Sequence, residues 1–401
     1  MRLQLAVIFG TVTLDAMGIG LILPIMPELL QEVGGGSLAE AALWGGILST
    51  VFAVMQFVFG PILGSLSDAI GRRPVLLVSL CMMAVDYLVM AVAGSIWLLL
   101  AARLVGGITA ATHATASAYM ADLSKPGEKA ANFGLIGAGF GIGFVLGPLI
   151  GGLLGELGTR APFYAAAGLA LLNAGIGALV LKETVTDRMR RPFSWRRANP
   201  LGAVRQMGAL PGLRRMLAAY FVYCVAIYVY PAIWAYFTQA RFGWGPQMVG
   251  LSLAIYGLSS AVVQIWVIRW MLARWGERRT VVAGFLSEIV ACLLLAVVTS
   301  GPVALVLTPI AALGAVITPA LQAVMSQRVS DDAQGELQGV LTSTHALAMI
   351  LSPLAMTGVF AAFTAPGAGV YFPGAPFVLA ALLLVAAMIL LPPSERAGSR
   401  E

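Results

Sequence analysis

The sequence predicts an all-α polytopic membrane protein: twelve transmembrane helices in two pseudo-symmetric six-helix bundles. Three observations carry this prediction. Hydrophobic residues make up 59% of the 401 positions and charged residues only 10%, a balance that excludes a water-soluble chain. Apolar runs that match the roughly 20 residues needed to cross a bilayer fall at roughly 5–29, 42–65, 75–94, 97–119, 133–156, 162–182, 216–239, 249–272, 280–299, 302–325, 337–361 and 371–392. The two halves also echo each other at an offset of 205: "GRRPVLL" at 71 and "GERRTVV" at 276, Gly134 and Gly339, "GPL" at 147 and "SPL" at 352.

The first run is too long for a signal-peptide core, carries Asp15 and lacks a small-residue cleavage site, so it reads as a retained helix. The positive-inside rule then orients the passes. With both termini in the cytoplasm, all of the 24 Lys and Arg residues except Arg103, Arg160 and Arg241 lie on the inner side, including Arg2, Arg396, Arg400 and the bases from Lys182 to Arg215. The net charge of +6 thus reflects the cell's inner membrane face and not a nucleic-acid surface. Residues 1–182 form the first bundle, 183–215 a basic cytoplasmic linker and 216–401 the second bundle.

A duplicated bundle whose repeats run parallel places a ligand site between its halves near the midplane. The chain contains no HExxH, GxxxxGK[ST] or GxSxG, so no enzyme is indicated. Its three cysteines lie within predicted helices without metal-ligand spacing; no metal site and no cofactor are expected.

Asp15, Asp86 and Glu288 fall at membrane depth in helices 1, 3 and 9. An acid at a helix centre costs about 2.5–3.5 kcal/mol on insertion scales, so each should face a cavity, a partner or a proton. They are read as a proton relay or an attractor of a cationic ligand, or else as interhelical hydrogen bonds. Arg103 in "ARLVGGITAAT" is their intramembrane counter-charge, with its partner left open.

Helix 5 carries Gly139, Gly143, Gly147, Gly151 and Gly155 at four-residue spacing beside Pro148 and Gly152. Such a stripe permits backbone-to-backbone packing, and its absence from the second half suggests a moving interface between the halves. "GSLSDAIGRRP" gathers Asp68, Arg72 and Arg73, which with Asp122 form either topology-setting charges and caps or a charge latch. Tyr223, Tyr230 and Trp234 share one face of helix 7, suited to a flat ligand or to an interfacial belt. Gln56, Gln264 and Gln322 could bond a ligand or a neighbouring helix, and His113 and His345 are expected as packed helix residues.

"LDAMGIGLILP", "GSLSDAIGRRP", "DYL", "ARLVGGIT", "GFVLGPLIGG", "RFGWGPQMVGLSL" and "PALQAVMS", in that order, resemble the twelve-helix drug/H+ antiporters of the major facilitator superfamily, specifically its tetracycline/H+ antiporters. The resemblance implies the major facilitator fold and export of a metal-chelated tetracycline, a small-molecule drug, in exchange for a proton. The divalent metal would travel as cargo, and the protein would act as a monomer in the bilayer. It assigns substrate or proton contacts to Asp15, Gln56, Asp86 and Arg103, gating to Asp68 and Arg72, and coupling to Glu288. The helix 5 motif corresponds to Gly143, Gly147, Pro148, Gly151 and Gly152.

The chain departs from the family pattern in four places: Ala69 follows the loop aspartate, Glu288 replaces an expected aspartate, Ser260 stands where a histidine is expected, and His113 where a small residue is usual. The competing expectations are a broad-range multidrug/H+ antiporter, an uptake carrier for a sugar or organic acid, and a non-transporting receptor or scaffold.

Overall fold

Proline and glycine punctuate the apolar runs, and the helices break where they fall. A computed structural model describes residues 2–125, 127–186, 190–195, 212–330 and 333–392. The first pass is α1 (Arg2–Ile22), a 3-10 turn at Leu23–Ile25 and α2 (Met26–Gly34). Pro24 and Pro27 remove two backbone donors there, so the helix tightens and restarts. The second pass, α3 (Leu38–Ile70), opens on a capping box: Ser37 Oγ accepts from the Glu40 amide at 3.3 Å, and Glu40 Oε2 accepts from the Ser37 amide at 2.8 Å. Next come α4 (Arg72–Val92), then α5 (Ile96–Thr109) and α6 (Thr112–Leu123) as one broken pass, then α7 (Lys129–Gly155) and α8 (Ala161–Val180).

The seventh pass is α9 (Arg214–Ile227) and α10 (Val229–Phe242), parted at Tyr228. There follow α11 (Pro246–Val262), a π turn at Val263–Val267 and α12 (Ile268–Val297). The stretch Pro246–Val297 runs for 52 residues, about 78 Å at 1.5 Å per residue, far beyond a hydrocarbon core of about 30 Å. Gly276, at φ 72° and ψ 171°, breaks it into two passes, a conformation that only glycine adopts without strain. The tenth pass is α13 (Gly301–Ala311), a 3-10 turn at Ala312–Val316 and α14 (Ile317–Ser326), and α15 (Gln334–Thr364) and α16 (Ala375–Leu390) complete the fold. Among the described residues, ten apolar stretches are long enough to cross a membrane; the break at Gly276 divides one of them, and the shorter α16 adds the twelfth pass.

The 205-residue repeat is visible in space. α4 ends at Val92 and α12 at Val297; α5 begins at Ile96 and α13 at Gly301. The turn that starts at Leu23 corresponds to the break at Tyr228, and the break at Ala110–Ala111 to positions within the Ala312–Val316 turn and its boundary. Even a crossing repeats: Gly147 packs on Gly20, and Ser352, its counterpart, donates to the Val225 carbonyl at 2.7 Å, Val225 being the counterpart of Gly20.

The glycine stripe of α7 seats α1. A methyl at Gly139 would lie 2.9 Å from Thr13 Oγ1 and one at Gly147 2.6 Å from the Met17 carbonyl, while Gly143 and Gly151 abut the Thr13 and Leu21 carbonyls. From Gly139 to Gly151 the stripe therefore packs within the first six passes and is not the interface between the halves that its asymmetry suggested; its last member, Gly155, meets both Ile25 and Pro246, and the main seam with the last six is a neighbouring line. There a methyl at Gly152 would sit 2.5 Å from the Pro246 carbonyl, one at Gly257 2.7 Å from Val145, and Gly250 abuts the Pro148 carbonyl. The physical reason is helical pitch: a four-residue step drifts by about 40° per repeat, so a second line of small residues faces a different neighbour.

α3 and α15 form the other seam, where Thr50 donates to the Ile350 carbonyl at 3.0 Å and Gly46 packs on Pro353 and Thr357. Gln239 of α10 donates to Gln31 of α2 at 3.3 Å. These contacts close the end at which α2, α7 and α10 finish. Towards the opposite end, Gly60 and Gly64 of α3, Gly134, Gly137 and Gly141 of α7, and Gly335 and Gly339 of α15 have open space where a side chain would point. The structure is sealed on one face and parted on the other. Of the residues used to orient the passes, the Arg2 side chain, the linker residues 196–211, and Arg188, Arg396 and Arg400 lie outside the described residues.

Candidate functional site

The buried charges sort into two groups. In the first six passes, Arg103 of α5 forms an ion pair with Asp86 of α4, and its guanidinium lies over the Phe52 ring at 5.1 Å. Gly106 makes this possible, since a methyl there would stand 3.0 Å from the Asp86 carboxyl carbon. The pair is incomplete: Asp86 Oδ1 and Arg103 Nε are buried without a hydrogen-bond partner among the described residues. Gln56, half-buried, lies one turn beyond Phe52 on α3 and so shares its face. Asp15 is buried on α1 near Tyr87, whose hydroxyl packs on Gly18 one turn further along. The sequence left Arg103's partner open; the geometry selects Asp86.

In the last six passes, Glu288 of α12 is fully buried. Its carboxylate packs on Gly314, inside the 3-10 turn of the tenth pass, and Oε2 has no hydrogen-bond partner among the described residues. Around it stand Tyr223, Tyr230 and Tyr256, with Tyr230 stacked on Tyr256 at 5.6 Å and Tyr223 edge-on to Phe285 at 5.7 Å. The Tyr223 hydroxyl meets Thr318 Oγ1 at 3.1 Å, and Cys292 Sγ lies 4.0 Å from Glu288 Oε1. Among the described residues, no hydrogen bond or ion pair joins Glu288 to Asp15, Asp86 or Arg103. The sequence grouped these four together; the structure places them in separate halves of the bundle.

The other predicted contacts divide in the same way. Tyr230 and Trp234 line a small cleft of about 50 Å³ beneath the sealed face, with Leu23, Met26, Ser49 and Leu253. Trp234 Nε1 donates to Ser252 Oγ at 2.8 Å. Gln322 lies beside Tyr220, whereas Gln264 sits in the π turn among exposed residues. His113 and His345 are not packed in the core: both are exposed, each edge-on to one aromatic ring. Among the described residues no cluster of three or more His, Cys, Asp or Glu could hold a metal ion.

At the parted face, Arg72 bridges Asp68 at 2.5 Å and Asp122 at 3.3 Å and donates to Ser67 Oγ at 2.6 Å. Arg73 turns away from this cluster to donate to the Ala178 carbonyl at 2.7 Å, because the chain enters α4 with Arg72 and Arg73 on different faces. Glu183 completes this end of the bundle. Its carboxylate accepts from the Arg72 and Arg73 amides at 2.9 and 3.2 Å, capping the N-terminus of α4 from the end of the sixth pass. Its position beside Lys182, in "KET" just after an apolar run, was the available signal. Gly106, Gly314 and Tyr87 had weaker ones: two glycines in runs rich in them, and a tyrosine beside a buried acid.

This geometry describes a polytopic transporter: a duplicated six-pass unit, sealed at one end, with acids held at mid-depth on both sides of its interior. Residues 8–227 and 216–401 match the Major Facilitator Superfamily. The chain is 41% identical over 358 residues to the class C tetracycline resistance protein of Escherichia coli, covering 89% of this chain and 90% of that one. It is 40% identical over 367 residues to the class G protein of Vibrio anguillarum, covering 90% and 91%. Among solved structures, the human organic anion transporter MFSD10 matches with a TM-score of 0.71 at 26% identity over 97% of this chain and 99% of that one, and the nucleoside transporter NupG shares the fold with a TM-score of 0.75 over 97% and 99%. The chain belongs to the Major Facilitator Superfamily and, within it, to the family of tetracycline resistance proteins.

Proposed function

We propose that this protein exports a tetracycline-like drug, carried as a metal chelate, in exchange for a proton by alternating access. The observation that carries this reading is the pair of incompletely satisfied buried acids, Asp86 and Glu288, one in each repeat of the bundle. Burying a carboxylate is expensive unless it is paired, and only Asp86 has a cation beside it. Glu288, among tyrosines with no ion pair, suits a group that takes up and releases a proton. Asp15, Asp86 and Arg103, with Gln56, suit recognition of a ligand that carries both a cationic charge and acidic oxygens. The aromatic wall of Tyr223, Tyr230 and Trp234 suits its flat ring system.

Both termini lie in the cytoplasm, the parted face opens inward, and the protein resides in the cell's inner membrane as a monomer. The bundles 1–182 and 216–401, joined by the linker 183–215, rock about the seams of α3 with α15 and α7 with α11. The latch of Asp68, Arg72 and Asp122 braces the inner ends of the first bundle as they move. The test is drug accumulation in inverted membrane vesicles containing the protein, with an imposed inside-acid gradient. Tetracycline with Mg²⁺ should accumulate and collapse when the gradient is dissipated. Accumulation of unrelated amphiphiles at equal rates would replace this substrate with a broad range, and solute uptake indifferent to the gradient would replace exchange with passive carriage.

A further inference from the structure

Exposure along α7 separates its faces. Leu135, Ile142, Leu146 and Leu153 form one exposed apolar line, the lipid side. The glycine stripe faces α1, and the line of Val145, Pro148 and Gly152 faces α11. Phe140 and Phe144 lie between those two buried contacts, on the side away from lipid, and so look into the interior between the halves. Phe140 stacks on Phe144 at 5.8 Å, and His113 of α6 stands edge-on to Phe140, also at 5.8 Å. His113 and Phe140 remain exposed because the passes have parted at this level.

The second half presents the same device. His345 of α15 is the counterpart of Phe140 at the 205 offset, lies between the Ser352 contact with α9 and the Pro353 and Thr357 contact with α3, and opposes the lipid-facing Leu351 and Leu354. It stands edge-on to Tyr228, at the break in the seventh pass, at 5.6 Å. At about 1.5 Å per residue, Phe140 lies about 16 Å from the start of α7, His345 about 16 Å from the start of α15, and His113 about 15 Å from the end of α6. Asp15 lies about 20 Å into α1 on the same count. The two histidine–aromatic pairs thus occupy one level, slightly nearer the parted face than the acids.

We propose that His113 with Phe140, and His345 with Tyr228, form a second ligand subsite at the open end of the cavity, one arm from each half, for a planar polycyclic ligand with hydrogen-bonding oxygens at its edge. The imidazoles offer polar edges to the oxygens, and the rings beside them offer faces to the plane. A ligand that bridges the arms loses one of them when the halves change their relative tilt, so the subsite serves loading from the open face. This inference rests on the drug-export reading and adds the place where the drug is first held.

The test uses purified protein and Mg²⁺-tetracycline, with binding followed by drug fluorescence. His113→Ala and His345→Ala should each weaken binding about fivefold, the scale of one lost aromatic or hydrogen-bonded contact, with unchanged thermal melting. In a Cys81→Ser background, His113→Cys and His345→Cys should react with a maleimide added from the open side and be protected by the drug. Wild-type affinity in both alanine variants, or labelling indifferent to the drug, overturns the subsite while leaving the export reading intact. Absence of drug binding by the unaltered chain overturns both.

Discussion

Glu288 is longer by one methylene than the aspartate expected at its position, and Gly314 is what accommodates the extra length. A methyl at Gly314 would coincide with Oε2, lie 2.8 Å from the carboxyl carbon and 3.3 Å from Cγ. Carbon contacts are comfortable at about 3.5–4.0 Å, so Gly314→Ala forces the carboxylate to move by about 1 Å in a fully buried site. Overpacking of this size costs about 1–3 kcal/mol. The displacement also disturbs the spacing of the acid to Tyr230 and Cys292. Gly314→Ala is therefore expected to lower the melting temperature of the purified protein by a few degrees and to reduce proton release from vesicles on drug addition at least tenfold. Shortening the acid should repair both: Gly314→Ala with Glu288→Asp is expected to recover most of the stability and most of the coupling. Wild-type coupling in Gly314→Ala, or a double variant no better than the single one, would refute the steric argument.

Glu288→Gln should leave folding near normal while abolishing drug-driven proton movement measured with a pH-sensitive dye, and retained coupling would move the proton to another acid. Asp86→Asn strands the Arg103 guanidinium on Phe52 alone and is expected to cost about 3–5 kcal/mol in chemical denaturation; the double variant with Arg103→Leu should recover a large part, and strict additivity would show that the pair is not coupled. Gly151→Leu, which drives a branched side chain into the Leu21 backbone, should prevent stable accumulation in the membrane, whereas Gly141→Leu, with open space before it, should be tolerated. Equal expression of both would contradict the packing described for α7. Glu183→Gln should weaken the cap on α4 by about 1 kcal/mol, read as faster hydrogen exchange at Arg72 and Arg73; unchanged exchange would show that the cap contributes nothing.

The passes were legible because an apolar run and its basic flanks are local properties, and the repeat because the offset was carried by residues such as Gly134 and Gly339 that need no partner to be recognised. The site was legible only by depth. Asp15, Asp86 and Glu288 could be placed in the membrane by counting, but which of them meets Arg103 depends on how the third and fourth passes are rotated about their axes. That rotation is set by Gly106 and Phe52, neither of which announces itself. The stripe in α7 signalled close packing, but its asymmetry pointed to the interface between the halves, whereas most of it packs on α1, because the sequence does not show how the helix is rotated about its axis. His113 and His345 read as packed helix residues because a lone histidine in an apolar helix usually is one, and parting of the halves cannot be seen in a single sequence. Glu183 carries little signal of its own, since it lies outside the apolar runs among basic residues, and its capping role depends on a long-range contact with the start of α4.

The seam between α7 and α11 is built of Gly152, Gly250 and the carbonyls of Pro148 and Pro246, with no ion pair among the described residues along it. Backbone contacts of this kind contribute about 0.5–1 kcal/mol each, so the seal is close in packing but shallow in energy. The force available to open it is of the same order: about 1.4 kcal/mol for each unit of pH difference across the membrane and about 2.3 kcal/mol for each charge moved through 100 mV. A closure held by several buried ion pairs, each costing about 3–5 kcal/mol to break, would need more than that supply. One made of glycine and proline backbone can be driven open and allowed to reseal by the currency a resting cell maintains.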